Sequence, residues 1–223
     1  MASNAPPDLM VWFDRHFSVR LPFARFARNT VLLSLFGLAP TLILYIALIP
    51  GFWSHLSTSK AASALFLRQI LTNGLPVVFT VNAVSMILFS QLRLRTMGPG
   101  WALTLDFATR TIFFTALHAA IFFASAQIFG SFGGDPLQAL RVVGPTLAQS
   151  AAFGNLSGVY LYATLISALP LHMVLTENWF KMRGYQPASR VTMVLCSLAV
   201  IAAQILMLTG FAFAVSPPAI PPA

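Results

Sequence analysis

Few residues in this chain can do chemistry inside an apolar environment: His118, His172, Cys196, Asp106, Arg110, Glu177 and the amides of Asn82 and Asn155. His118 falls deep within a long apolar run, where a titratable group is hardest to accommodate. On a helical projection Thr104, Ala108, Thr111, Thr115, Phe122 and Ser125 share its side, opposite Ile112, Phe113 and Phe123. A polar stripe in a membrane helix must face protein or water. Thr111, Thr115, His118 and Ser125, with Asn82 from the preceding apolar run, therefore form a candidate polar path. Haem ligation, a proton relay or a solute path are the chemistries open to it. The plain structural reading is a neutral histidine hydrogen-bonded to a neighbouring helix. Bis-histidine ligation needs two rings at one depth, and His118 lies deep while His172 lies close to the end of its own apolar run. Haem on either is a poor fit, and no cofactor is expected.

The remaining charged pairs have ordinary spacing. Asp106 with Arg110, and Glu177 with Lys181, stand four apart and read as helical ion pairs at the ends of apolar runs, with no charge at mid-depth. There is no carboxylate pair set for acid–base work, no His/Glu metal pattern, no glycine-rich phosphate loop and no Gly-x-Ser-x-Gly elbow. Cys196 is the single cysteine, so no disulfide forms within one chain. Intramembrane proteases, phosphotransferases and thiol oxidoreductases need sets of residues that are missing here, and a non-enzymatic role is expected.

The elements that must position these residues follow from composition. Of 223 residues 57% are hydrophobic and only 8% charged, against about 25% charged in soluble domains. The mean hydropathy is +0.79. The net charge of +8 sits in short segments between apolar runs, which reads as membrane topology and anionic-lipid contact and not as nucleic-acid binding. The expected fold is all-α: a polytopic bundle of five transmembrane helices preceded by an interfacial segment.

Residues 1–28 form that first segment, basic and aromatic. Trp12, Phe13, Phe17, Phe23 and Phe26 interleave with Arg15, Arg20, Arg25 and Arg28, too charged to span and too apolar to leave the surface. Residues 29–215 form the transmembrane domain, with spans at about 30–48, 69–91, 101–129, 146–175 and 191–215, and 216–223 is a proline-rich extended tail. With the N-terminus cytoplasmic, every lysine and arginine except Lys60, Arg68 and Arg141 falls inside, which places the protein in a bacterial inner membrane with its C-terminus periplasmic. Arg15, Arg20, Arg25, Arg28, Arg93, Arg95, Lys181 and Arg183 are the expected contacts for anionic lipid.

The fourth run carries no charged side chain from Thr146 to Leu175. As one helix it reaches roughly 45 Å, with a kink expected at Pro170. Ser150, Gly154 and Gly158 then stack on one face, with Asn155 beside them, as a small-residue groove for a second helix. The function expected from these features is an accessory, assembly or scaffold subunit of a larger bacterial inner-membrane complex, its partners being lipids and other integral membrane proteins or further copies of itself. The alternative is a small oligomeric transporter or channel with its path along the His118 face.

Overall fold

The computed structural model describes residues 8–91, 98–130, 135–151, 153–185 and 189–215. All regular structure among them is helical: α1 Leu9–Phe17, α2 Phe23–Leu48, α3 Phe52–Thr58, α4 Lys60–Gln69, a π-helical turn Ile70–Gly74, α5 Leu75–Gln91, α6 Pro99–Phe129, α7 Pro136–Ala151, α8 Leu156–Ile166, α9 Leu169–Met182 and α10 Arg190–Val215. Among the described residues, five stretches are long and apolar enough to cross a membrane: Phe23–Leu48, Lys60–Gln91, Pro99–Ile128, Leu156–Met182 and Arg190–Ala214. Arg93, Arg95, the start 1–7 and the tail 216–223 lie outside the described residues.

Several helix ends differ from the sequence expectation, each for a local reason. The first span begins at Phe23, because Pro22 has no N–H to lose at a helix start and its φ of −52° leads into one. The second begins at Lys60, where Ser59 accepts a hydrogen bond from the Ala62 amide (3.2 Å). Its polar interruption at Asn73 and Gly74 appears as one π turn, a local widening that keeps the helix continuous. The segment 130–145, between the third and fourth spans expected from sequence, holds most of α7.

The fourth span departs most. It is not one helix from Thr146 to Leu175. The chain breaks after Ala151, Phe153 takes a left-handed φ of 59°, and Asn155 starts α8 by accepting from the Gly158 amide (3.2 Å). A phenylalanine rarely adopts that conformation. Here its ring stacks on Tyr162 at 5.3 Å and meets Tyr45 edge-on at 5.8 Å, contacts that offset the strain.

Beyond the break, α8 and α9 are the axle of the bundle. In the apolar centre of Leu156–Met182, 78% of the residues are buried within the chain, against 11% in that of the third span and 17% in that of the fifth. α2 lies along α8 with Thr30, Ser34, Gly37 and Thr41 turned inward. These small side chains recur at four, three and four residues, so the backbones can approach closely. Contact is tightest at Gly37, where an added Cβ would collide with Ala163 O and Ser167 Oγ and lie 3.1 Å from the Ala163 carbonyl carbon. Ser167 Oγ also reaches Leu33 O across the interface (3.2 Å). α1 lies across one end, burying Phe13 and Phe17 against Phe89 and the apolar side of α9.

Gly37→Ala should therefore lower stability by about 1–3 kcal/mol through overpacking, read as a lower Tm in detergent. Gly210→Ala on α10 meets nothing within 4 Å and should leave Tm unchanged or slightly raised. Equal melting of the two variants would refute a tight α2–α8 contact.

Candidate functional site

Charge in the bundle interior is concentrated in one cluster. Asp106 and Arg110 on α6 are 4% and 0% exposed, and His172 on α9 is 1% exposed. Arg110 Nε donates to both carboxylate oxygens of Asp106, at 3.0 and 2.9 Å. Ser85 on α5 donates its hydroxyl to Asp106 Oδ1. His172 Nε2 stands 3.4 Å from Asp106 Oδ2, within ion-pair reach but without hydrogen-bond alignment. Arg110 Nη1 donates to Asn82 Oδ1 (2.5 Å) and to the backbone carbonyl of Thr164 (2.7 Å). Asn82 Nδ2 donates onward to Ser34 Oγ (2.9 Å), which donates to Thr30 O (2.8 Å). One polar network thus ties α2, α5, α6, α8 and α9.

Local sequence places each member. Asp106 and Arg110 are one turn apart on α6, and Asn82 and Ser85 are three apart on α5, so each pair shares a helix face. Pro170 has no amide hydrogen, and the chain before it tightens so that the Ala168 amide bonds to Leu165 O (3.0 Å). The ladder is interrupted at that point, and the Thr164 carbonyl takes Arg110 as its partner. A helix break forced by proline supplies the acceptor that a buried guanidinium requires.

This corrects the expectation of an ordinary ion pair at the end of the third span, with no charge at mid-depth. Arg110 is buried among the other spans. Its helix begins at Pro99, so eleven rises of about 1.5 Å put it roughly 16 Å in. The carboxylate and guanidinium neutralise each other, and their desolvation is offset only because most of their hydrogen-bonding groups find partners. Arg110 Nη2 and both His172 ring nitrogens have no hydrogen-bond partner among the described residues. In the sequence, the available signal was the position of Arg110 well inside a helical run, which no solvated ion pair would occupy.

The residues of the expected groove come together, but differently. Ser150 Oγ donates to Asn155 Oδ1 (3.0 Å), Asn155 Nδ2 to Thr146 O (3.1 Å), and the Gly154 amide to Gln149 O (2.7 Å). A Cβ on Gly158 would strike Ser150 O and come within 3.0 Å of Phe153 Cα. Ser150, Gly154, Asn155 and Gly158 hold the break between α7 and α8. They do not form an open face of one helix, because the stretch is not one helix.

The candidate polar path is divided. Asn82 is turned into the charge cluster, while Thr115 faces outward. His118 is partly buried, stacked on Phe114 with ring centroids 5.6 Å apart, and its Nε2 lies 3.4 Å from Ser157 Oγ. Thr111 and Ser125 are partly buried, and Thr111 Oγ1 has no partner among the described residues. The two histidines belong to different layers, His118 beside Ser157 and His172 beside Asp106.

At the end where α1 lies, Glu177 and Lys181 form their helical pair (3.2 Å). Glu177 also accepts from the Leu9 amide (3.2 Å), and Lys181 reaches Asp8 (3.3 Å). Glu177 thereby satisfies an orphan amide at the start of α1. Arg15, Arg20, Arg25, Arg28 and Arg183 are exposed, with Arg183 over the Trp179 ring at 5.6 Å.

No family model, curated protein or solved structure matches this chain.

Arg110→Met alone leaves a buried carboxylate unpaired and should destabilise the bundle by about 3–5 kcal/mol. Asp106→Leu combined with Arg110→Met should recover much of that loss. Denaturant unfolding in micelles for the two single variants and the double gives the coupling; purely additive losses would rule out the cluster as an interacting unit.

Proposed function

We propose that this protein is a non-enzymatic accessory, assembly or scaffold subunit of a larger bacterial inner-membrane complex, with its N-terminus cytoplasmic. The third span carries this reading. Only 11% of its apolar window is buried within the chain, and it bears Ala116, Ala120 and Ala124 at four-residue spacing, all exposed, with Thr115 and Gln127 exposed as well. Side chains this small let another backbone approach, and the hydroxyl and amide gain interhelical partners that lipid cannot supply. The interior charges are engaged mainly with one another, which supports a stabilising role for the cluster over a turnover site. The partner is thus another integral membrane protein seated on α6.

The transporter reading has less support, since Asn82 and Thr115 point away from the His118 layer and do not line one route with it. Basic residues at the α1 end fit contact with anionic headgroups.

Affinity purification from native membranes in mild detergent tests the proposal. A stoichiometric membrane subunit should accompany the wild type and Ala39→Leu, a control on the exposed side of α2. Ala120→Leu should lose that subunit without a change in Tm. A lone species or homo-oligomer indifferent to Ala120→Leu would sink the proposal, and a homo-oligomer would turn attention to transport.

A further inference from the structure

A cavity of about 500 Å³ lies where α1, α2, α9 and the first residue of α10 meet, within the roughly 300–1,000 Å³ of sites that enclose small molecules. Its walls are apolar: Trp12 and Phe17 from α1, Leu32 and Phe36 from α2, Pro170 and Met173 from α9. Leu32 and Phe36 are also exposed on the outer side of α2, so the cavity is continuous with the surface that faces hydrocarbon.

Its polar members are His16, Asn29 and Arg190. Asn29 is held by donating to His16 O (2.8 Å), and it draws the Arg28 guanidinium to its Oδ1 (3.4 Å). His16 Nδ1 contacts Trp12 O (2.7 Å). A carbonyl only accepts, so Nδ1 carries the hydrogen. No carboxylate lines the cavity among the described residues, while Arg190 in its lining is exposed and Arg28, exposed as well, reaches its edge through Asn29. An apolar chamber open to hydrocarbon, with two guanidiniums at its polar margin, is complementary to one chemistry: an acyl chain attached to an anionic phosphate.

We infer that this cavity is a specific site for an anionic phospholipid, one acyl chain lying between α1, α2 and α9 and the headgroup phosphate between Arg28 and Arg190. The position of α1 favours this source. Its buried Phe13 and Phe17 anchor it across the bundle end, and Trp12 shares its side of the cavity, as expected at the headgroup boundary. Pro170 has a second consequence here, since the residue that interrupts the fourth span also lines the chamber. The site differs from general attraction of the basic end to lipid, because it needs the chamber as well as the charge.

Trp12 is a reporter placed in the site. In a variant with Trp53, Trp101 and Trp179 changed to Phe, reconstituted in phosphatidylcholine vesicles, tail-brominated phosphatidylglycerol should quench Trp12 more than equally brominated phosphatidylcholine at the same mole fraction. Arg190→Gln and Arg28→Gln should each reduce that preference roughly fivefold. Arg20→Gln removes an exposed arginine whose side chain neither lines the cavity nor bonds to Asn29 as Arg28 does, and should leave the preference largely intact. Met173→Phe, which narrows the chamber, should weaken quenching by the anionic lipid; because it is partly buried, the exposed Arg190 variant keeps the test sound if Met173→Phe misfolds. Equal quenching by the two lipids would reduce the cavity to ordinary annular contact. A preference lowered as much by Arg20→Gln as by Arg190→Gln would show surface attraction only. Either result overturns the site.

Discussion

In lipid, two apolar helix faces gain little by meeting, because acyl chains solvate them equally well. The arrangement of this bundle is therefore fixed by the requirement that a buried carboxylate and guanidinium be satisfied. Asp106 and Arg110 come from one helix, but their remaining partners come from others: Ser85 and Asn82 on α5, the Thr164 carbonyl on α8 and His172 on α9. Rotation or sliding of any of these helices by one residue would strand a polar group in a medium without water. The cluster acts as a register pin, and the Ser34–Thr30 relay extends it to α2.

The helix interruptions complement this constraint. In an unbroken helix each interior carbonyl already accepts from an amide and has only its second lone pair to offer a neighbour. The proline at 170 frees one at the layer where Arg110 needs it. At the other interruption Asn155 and Ser150 close the exposed ends of α7 and α8 with side-chain groups, which backbone at membrane depth requires. The break before Pro170 also lets Leu156–Met182 bend between its neighbours, consistent with its being the most enclosed of the five.

The consequence is a division of labour over the surface. The fourth span takes up most of the interior contacts, and few residues of α6 and α10 are buried within the chain. The end capped by α1 is basic, aromatic and folded back through Glu177 and Lys181. The largely paired interior charges, the little-buried third span and the folded-back α1 end are the features on which the proposed role rests.

Composition alone required helices of membrane-spanning length, because backbone in hydrocarbon must bond to itself. The five apolar runs marked them, with the largest shifts at the starts of the first and second spans and at both ends of the fourth. Proline and glycine punctuation marked the kink at 170 but left the Phe153–Asn155 break unrecognised: apolar length argued for a single helix, whereas the Gly154–Asn155 pair is also a stop-and-cap signal. The meaning of individual polar residues was not legible. Spacing put Asp106 and Arg110 on one face, but whether that face met water or other helices depended on which spans lay against it. The same holds for the small residues. Thr30, Ser34 and Gly37 became the close contact because α8 lay against them, while Ser150, Gly154 and Gly158 were drawn into a turn. Local chemistry dictates where a membrane chain is helical; which side of each helix is interior follows from long-range packing, since in lipid no hydrophobic gradient along the helix face announces it.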